Sequence, residues 1–469
     1  MIRTIFFKKP IAYIVIFALT SCAVEQEYHH ETATQLGIPN DYVSPRASLA
    51  SGDMVAWWNQ FNDPILTQLM TQALSENLSL AEASARLKQA RESLVQSHAQ
   101  QQPSVTTSGS AGRNFGKSNQ DSNSFAAEID ASWNTDLFGQ LRNGTLASGA
   151  ALQASVFDLA SVRTSLVAEL ARNYVDARVY TARIEIALNT LNTQDDNLEI
   201  TIFRRQAGLV SSLDVEQARA QRSQTAATIP TLNKSLAAAR NRLALLTAKA
   251  PGAVDSLFKN QAIIPVADDN LTIGIPANVL RQRPDVRKAE QNLISATAKI
   301  GVAKANLYPS LTLTGNLSLA STSMSTLTDF ITGNLFANVA YTIFDGGNLR
   351  SVVRNREAVE EEYFASYKAV ILTALEDIEN GAVALDAAKL RVKELGIQVE
   401  ASNNAAIIAR NNYRAGLSDF QTLLDNERTL LSARDSFASA KGDVATAIIQ
   451  LYLALGGGWD TNNHIKEKV

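Results

Sequence analysis

The chain of 469 residues contains one cysteine and four histidines, the side chains best suited to covalent or metal chemistry. The histidines, at positions 29, 30, 98 and 464, show no metal-ligand spacing with one another or with Cys22. The sequence also contains no phosphate-binding glycine loop and no nucleophile elbow. We therefore expect neither an enzyme nor a metal site, and no cofactor apart from a covalent group on the cysteine.

Cys22 follows a segment with the features of an export signal, which we expect to comprise residues 1–21 and to be removed. The segment has a basic start and an apolar run that is too short to span a bilayer, since a transmembrane helix needs roughly 20 apolar residues. It ends in Leu19-Thr20-Ser21-Cys22, which resembles the lipobox of bacterial lipoproteins. That resemblance implies a lipid anchor on Cys22, and Ala23 at the next position favours sorting to the outer membrane. The alternative is ordinary cleavage near Ser21.

The charge of the chain argues against nucleic acid as a partner. The full sequence has 43 basic and 46 acidic side chains and a net charge of −3. Removal of the signal makes the charge more negative, because the signal contains basic but no acidic side chains. A protein that binds nucleic acid needs a basic face. Because no second cysteine is present for a disulfide, stability must come from burial and assembly.

The second half of the chain repeats the first. At one offset Leu74 aligns with Leu280 and Pro103 with Pro309. At an offset that is two residues larger, Ala207-Gly208-Leu209 aligns with Ala415-Gly416-Leu417. Such agreement at proline and glycine predicts an internal duplication. We divide the chain into a signal (1–21), an N-terminal linker or equatorial segment (22–60), a first repeat (61–255), an inter-repeat linker (256–279), a second repeat (280–456) and a tail (457–469).

Each repeat contains two stretches in which apolar and polar residues alternate. The clearest run from Phe125 to Trp133, from Leu311 to Leu319 and from Leu335 to Ile343, and a weaker one runs from Val105 to Ala111. This pattern is typical of a membrane-spanning strand, although a strand of a soluble sandwich alternates too. Four strands cannot close a barrel, whose smallest bacterial examples have about eight. Two chains would give eight strands and three would give twelve.

The rest of the sequence predicts long helices. Between Gly149 and Gly208 lie about 58 residues without glycine or proline, enough for a helix of roughly 87 Å. Apolar residues recur at coiled-coil spacing at Leu159, Val162, Leu166 and Leu170, and again in the second half from Leu385. A soluble coiled-coil rod would share this pattern but would leave the alternating stretches unexplained.

Between the long helices the repeat places FRRQAGLVSSLDVEQA (203–218) and NYRAGLSDFQTLLDNE (412–427). Gly208 and Gly416 permit the positive φ of a tight turn, and Ser211 or Ser212 and Asp419 are suited to cap the helix that follows. These segments predict hairpin tips. The exposed residues at the tips, Leu209, Val210 and Leu417, form a candidate docking point for another helical protein.

Taken together, the chain resembles the TolC-like outer-membrane efflux proteins, in their lipoprotein (NodT-type) branch. The resemblance covers nearly the whole chain after the signal. It rests on motifs in a fixed order: WWNQFNDPILTQLMTQALSENLSL, SWNTDLFGQLRNG, LRQRPDVRKAEQNL, ANLYPSLTLTG, IFDGG and YRAGLSDFQTLLDNERTLL.

The resemblance implies a mostly α, α+β protomer that contributes four strands to a trimeric twelve-stranded transmembrane β-barrel, with a long α-helical periplasmic barrel and an equatorial domain. It implies a homotrimer in outer-membrane lipid that works with a periplasmic adaptor and an inner-membrane pump, usually a proton-driven one. The family's gate uses acidic side chains near the second tip, where this chain has Asp419 and Asp425. The residue after Gly416-Leu417 is Ser418, where some relatives carry an aspartate.

The function so implied is a passive conduit that carries drugs or other small toxic compounds across the periplasm and the outer membrane. Two alternatives remain at this point: the conduit of a type I protein secretion system, and a non-conducting, lipid-anchored coiled-coil scaffold. The sequence has no methionine or histidine cluster that would favour metal as cargo.

Overall fold

The computed structural model describes residues 36–39, 54–115, 122–258, 263–266, 279–329 and 331–460. The predicted signal and its lipid-anchor residue Cys22 lie outside these ranges. The chain forms two compact units, and each takes segments from both halves of the sequence. The strand unit contains Ala85–Val156 and Arg287–Ala369, and the helical unit contains Ala33–Ser84, Phe157–Val286 and Val370–Val469.

A four-stranded antiparallel sheet lies in the strand unit. Its strands follow one another in chain order as β1 (Ser104–Asn114), β2 (Ser122–Thr135), β3 (Ser310–Ser321) and β4 (Ile331–Ala340). The four alternating stretches are thus confirmed as strands. A short 3-10 helix, Met324–Asp329, connects β3 to β4.

Polar side chains form a connected row across one face of this sheet. Glu128 on β2 lies opposite Ser318, and Asn316 lies two residues from Ser318 on the same strand. Asn316 donates a hydrogen bond from Nδ2 to Glu128 Oε1 at 2.8 Å, and Asn334 on β4 donates to Asn316 Oδ1 at 3.1 Å. Because side chains alternate between the two faces of a strand, the apolar residues between these positions lie on the opposite face.

The end of β4 differs from the sequence prediction. The predicted alternating face extended to Ile343, whereas β4 ends at Ala340. The register explains the difference, because Ala340 pairs with Ser310, the first residue of β3. Pro309 precedes Ser310 and has no backbone N–H to donate, so the ladder between these two strands stops there.

Helices account for most of the remaining described residues. They are α1 (Pro64–Glu76), α2 (Leu78–Ala99), α3 (Gln140–Gln206), α4 (Ser212–Leu246), α5 (Pro284–Ala305), α6 (Asn348–Ala415) and α7 (Phe420–Ala454). The prediction of long helices is confirmed by α3 and α6, with 67 and 68 residues. In the described part of the chain, none of the helices is both long enough and apolar enough to cross a membrane.

The long helix α3 begins earlier than its glycine pattern predicted. It contains Gly149, which the sequence placed at the boundary, and it starts at Gln140. Asp136 explains this start, because its carboxylate accepts hydrogen bonds from the backbone N–H groups of Leu141 at 3.0 Å and Arg142 at 2.7 Å. A glycine inside a helix costs only about 1 kcal/mol relative to alanine. The helix therefore tolerates glycine once its first turn is held.

The core of the helical unit surrounds two tryptophans. Trp57 is 1% exposed and stacks on Tyr452 of α7, with ring centroids 5.1 Å apart and planes 8° apart. Trp58 is buried beside it. Leu170 of α3 and Leu243 of α4 belong to the same cluster and are fully buried. Each such aliphatic side chain contributes about 1.5–3 kcal/mol through burial, so this cluster joins the long helices firmly.

Candidate functional site

The first hairpin tip, between α3 and α4, is a glycine-terminated helix end. Gly208 has a φ of +73°, a conformation that glycine adopts without steric cost. The N–H of Gly208 donates to the carbonyl of Arg205 at 2.9 Å, and the N–H of Leu209 donates to that of Arg204 at 2.8 Å. This pair of bonds is the Schellman arrangement, which satisfies the last carbonyls of the helix.

The second tip, between α6 and α7, repeats this geometry. Gly416 has a φ of +76°. Its N–H donates to the carbonyl of Tyr413 at 3.0 Å, and the N–H of Leu417 donates to that of Asn412 at 2.8 Å. Both predicted turns therefore have the positive φ that the glycines permit, and the duplicated Ala-Gly-Leu sequence forms the same structure twice.

The two tips differ in how the next helix is capped. Ser211, rather than Ser212, caps α4 in a capping box, because its backbone N–H donates to Asp214 Oδ2 at 2.8 Å while its hydroxyl accepts from the Asp214 N–H at 3.3 Å. At the second tip Asp419 alone caps α7, accepting from the Thr422 N–H at 2.8 Å. Hydrogen bonds from the side chain and the backbone of Thr422 hold the pKa of Asp419 below its ordinary value.

Two leucines are prominent at the tips. Leu209 is 67% exposed and Leu417 is 79% exposed. Val210, which the sequence analysis grouped with them, is only partly exposed. Each tip therefore exposes the leucine that directly follows its glycine, and the first tip also exposes Phe203 and Leu213.

A contact that sequence reasoning missed joins the second tip to α3. The guanidinium of Arg204 donates a hydrogen bond to the backbone carbonyl of Tyr413 and lies 4.6 Å from the centre of its ring. The Tyr413 hydroxyl is 3.2 Å from Thr201 Oγ1, and its ring packs edge-on against Phe420. The start of the second tip is thereby held against the end of α3.

A buried charged group lies further along α7. Glu427 is 6% exposed, and its Oε1 accepts hydrogen bonds from Asn197 Nδ2 of α3 at 2.9 Å and from Arg410 Nη2 of α6 at 2.9 Å. A carboxylate at this position of a long polar helix looks like an ordinary solvated charge in the sequence, so no local signal identifies it. It links three helices through charge-assisted hydrogen bonds.

The two predicted gate residues do not contact each other in any described interaction. Asp425 is exposed on α7 and accepts a hydrogen bond from Gln421 Nε2 at 2.9 Å. It also lies 3.9 Å from Nη1 of the charged residue Arg428, one turn away. Asp419 makes its bonds at the helix start. Within one protomer, Asp419 therefore caps the start of α7, and Asp425 contacts only residues of its own helix in the described interactions.

Among the residues that the structure describes, no group of three or more histidine, cysteine, aspartate or glutamate side chains is arranged to hold a metal ion. Asp214 and Asp419, the acidic residues that follow the two glycine turns, are instead engaged in helix caps.

Comparison with known proteins agrees with this architecture. A family model described as "Outer membrane efflux protein" matches residues 69–249 and 275–457. Nodulation protein T of Rhizobium leguminosarum bv. trifolii is 30% identical over 454 residues, covering 94% of this chain and 96% of that protein. The pyoverdine export outer membrane protein OpmQ of Pseudomonas putida is 28% identical over 447 residues, covering 92% of this chain and 95% of that protein.

A solved structure of the outer-membrane channel OprN has the same fold. It superimposes with a TM-score of 0.83 and 32% sequence identity, covering 93% of this chain and all of that one. The similarity therefore extends over both the strand-forming and the helical segments.

Proposed function

Because this chain belongs to the outer membrane efflux protein family, we propose that it is a passive conduit through which a tripartite efflux system delivers its cargo across the outer membrane. The family consists of outer-membrane channels, and this chain is the outer-membrane component of such a system. The energy for transport comes from an inner-membrane pump, so the present protein needs only to form a continuous aqueous path.

The sheet supports this proposal most directly. It has one polar face, which includes Glu128, Asn316 and Asn334, and its edge strands β1 and β4 have no further partner within the described chain. An open edge in lipid leaves backbone groups without hydrogen bonds at a cost of several kcal/mol each. Three copies joined edge to edge would close a barrel of twelve strands with the polar face toward the lumen. We therefore propose a homotrimer.

We propose that the periplasmic adaptor docks at the two tips. Leu209 and Leu417 are exposed, and the tips that carry them share one backbone geometry. Repeated apolar knobs of this kind suit a helical partner, because a helix can accept a side chain between its own ridges. The same proposal includes a proton-driven inner-membrane pump behind the adaptor.

Substitution of both tip leucines by serine tests the docking proposal. In the double variant Leu209→Ser and Leu417→Ser, crosslinking to the adaptor in cells should fall at least tenfold while the protein still reaches the outer membrane. Leu245→Ser is the matched control, because Leu245 is 56% exposed at the far end of α4. Equal crosslinking in the double variant and the control would reject docking at the tips.

Cys22 is proposed as the lipid anchor of the mature chain. Its support is the sequence context, since the residue lies outside the described ranges. Mass spectrometry of the N-terminal peptide should show a triacylated cysteine at this position. A mature N-terminus elsewhere, or an unmodified thiol, would exclude the anchor and leave the conduit proposal untouched.

Conduction itself is tested by reconstitution of the purified protein in planar bilayers. We expect discrete single-channel currents. Absence of current even with the adaptor present would favour the non-conducting scaffold.

In cells, deletion should sensitise the bacterium to small toxic compounds, the proposed cargo. Loss of an exported protein without a change in sensitivity would favour the type I secretion system instead.

A further inference from the structure

Gln194 on α3 is a buried amide whose hydrogen-bonding groups are unused by the described residues. The residue is 5% exposed, and neither Oε1 nor Nε2 has a hydrogen-bond partner in the described part of the chain. Both atoms are enclosed, so that a side chain of a neighbouring subunit cannot reach them. A buried amide without any partner is strongly unfavourable, and nearly all such groups in folded proteins are satisfied by protein or by ordered water.

The Gln194 side chain lines a cavity of about 20 Å³. All of the residues around the cavity are buried, and they come from three helices: Gln194 and Asn197 of α3, Ala218 and Gln221 of α4, and Phe420, Leu423, Leu424 and Glu427 of α7. One water molecule requires a cavity of about 10–15 Å³ with two to four polar partners. The volume therefore fits one water molecule.

The polar groups that line the cavity favour water over a cation. Glu427 is already neutralised by Arg410, at 2.9 Å. Gln221 uses its Oε1 to accept a hydrogen bond from Arg428 Nε at 2.5 Å, and its Nε2 is left as a donor. A site with amide donors and a neutralised carboxylate gives a cation few oxygen ligands, whereas water both donates and accepts.

We propose that the cavity beside Gln194 binds one ordered internal water, which completes the hydrogen bonding of the Gln194 amide and bridges α3 to α4 and α7. Water-mediated bonds of this type are nearly as favourable as direct ones. The water adds a second link between α3 and α7 beside the Asn197–Glu427 hydrogen bond. It lies next to the buried cluster of Tyr413 and Phe420 that supports the second tip. The proposal stands independently of conduction.

A density map of the purified full-length protein at about 2 Å resolution tests this directly. The expected result is one peak in the cavity within hydrogen-bond distance of Gln194 Oε1 or Nε2, and loss of that peak in Gln194→Leu. A cavity without a peak around a wild-type Gln194 that is still buried would overturn the proposal. So would a peak that rubidium replaces with an anomalous signal, because that signal identifies a cation.

Thermal unfolding provides a second readout that does not depend on the map. If water satisfies the amide, Gln194→Leu exchanges a satisfied polar group for an apolar one of similar size, and the Tm changes by less than about 2 °C. If the amide has no partner at all, the same substitution relieves it and the Tm rises well above that value. Gln224→Leu is the matched control, because Gln224 is exposed on α4.

Discussion

Arg204 at the end of α3 holds the backbone carbonyl of Tyr413 at the end of α6, and its guanidinium lies 4.6 Å from the centre of the Tyr413 ring. These residues are 209 positions apart in the chain. Arg204→Ala removes a charged donor, and hydrogen bonds of that type contribute about 1.5–3 kcal/mol. If the second tip must move for the channel to open and half of the larger figure resists that movement, the ratio of open to closed channels rises about tenfold. Single-channel recording in planar bilayers measures this ratio.

The neighbouring Arg205 provides the control for this prediction. It has the same charge and lies in the same last turn of α3, but it is exposed. Arg205→Ala should leave the channel's open fraction unchanged. Arg204→Lys should raise the open fraction less than Arg204→Ala does, because lysine keeps the charge but lacks the planar fork of arginine. Equal currents in wild type and Arg204→Ala would show that the contact does not restrain the second tip.

Glu427 yields a prediction about stability. Glu427→Ala leaves Arg410 and Asn197 without their shared acceptor in a largely buried site. Breaking a buried pair costs 3–5 kcal/mol, and because Arg410 is 27% exposed we expect about 3 kcal/mol here. Glu427→Gln should cost less, since the amide oxygen still accepts from Asn197. Thermal unfolding followed by circular dichroism measures the loss.

An exposed ion pair on the same two helices gives the comparison. Asp443 of α7 accepts from Arg391 of α6 at 2.7 Å, and both side chains are more than half exposed. Surface pairs contribute less than about 1 kcal/mol, so Asp443→Ala should barely change the Tm. A loss at Asp443 as large as that at Glu427 would mean that burial does not determine the importance of the pair.

Local patterns in the sequence predicted the features that depend on neighbouring residues. The alternation around Ile129 predicted β2, and the repeated Ala-Gly-Leu segments predicted both turns, because strand polarity and glycine conformation are local properties. The end of β4 was wrong, since it is set by where β3 begins 30 residues earlier in the chain. A strand's length depends on its partner, which periodicity alone does not contain.

The polar contacts around the second tip could not be predicted for the same reason. Arg204, Glu427 and Gln194 each look like ordinary polar residues of a long amphipathic helix. Only the packing of α3 against α6 and α7 buries Gln194 and Glu427 and gives Arg204 and Glu427 their partners. In contrast, Asp419 was predicted as a cap because the signal, an aspartate just after a glycine turn, lies within the tip itself.

Asp419 allows the capping role and the charge role to be separated by pH. Its folded-state pKa lies below the ordinary value of 3.8, because Thr422 donates to the carboxylate. The stabilisation is therefore fully present above the ordinary pKa and is lost as the pH falls through the folded pKa. The protection factors of the backbone amides in the first turn of α7, which are corrected for the intrinsic pH dependence of exchange, should therefore fall below about pH 4. In Asp419→Ser, which caps without titrating, these protection factors should not respond to this pH change.

The same serine variant tests the gate. If the negative charge of Asp419 repels anions from the tunnel, Asp419→Ser should change the ion selectivity of the channel. The first turn of α7 should stay protected from hydrogen exchange in this variant. If only Asp419→Ala alters the currents and Asp419→Ser behaves as wild type, the residue acts through the cap alone. Asp425→Ser, at an exposed position two turns further along α7, serves as the comparison for a charge that caps nothing.

Pro230 lies inside α4, which continues on both sides of it. A proline inside a helix lacks an N–H, here for the carbonyl of Ala226, and is about 3 kcal/mol less favourable than alanine. The internal duplication places Ala438 of α7 at the matching position. Because Pro230 is exposed and its counterpart shows that the repeat accepts alanine, Pro230→Ala should raise the Tm, by an amount that corresponds to about 1–3 kcal/mol.

The reverse change, Ala438→Pro, puts the ring at a buried contact and should prevent folding. A lower Tm in Pro230→Ala would mean that the proline stabilises α4 where it packs, and that α4 and α7 differ in what they require at this matched position.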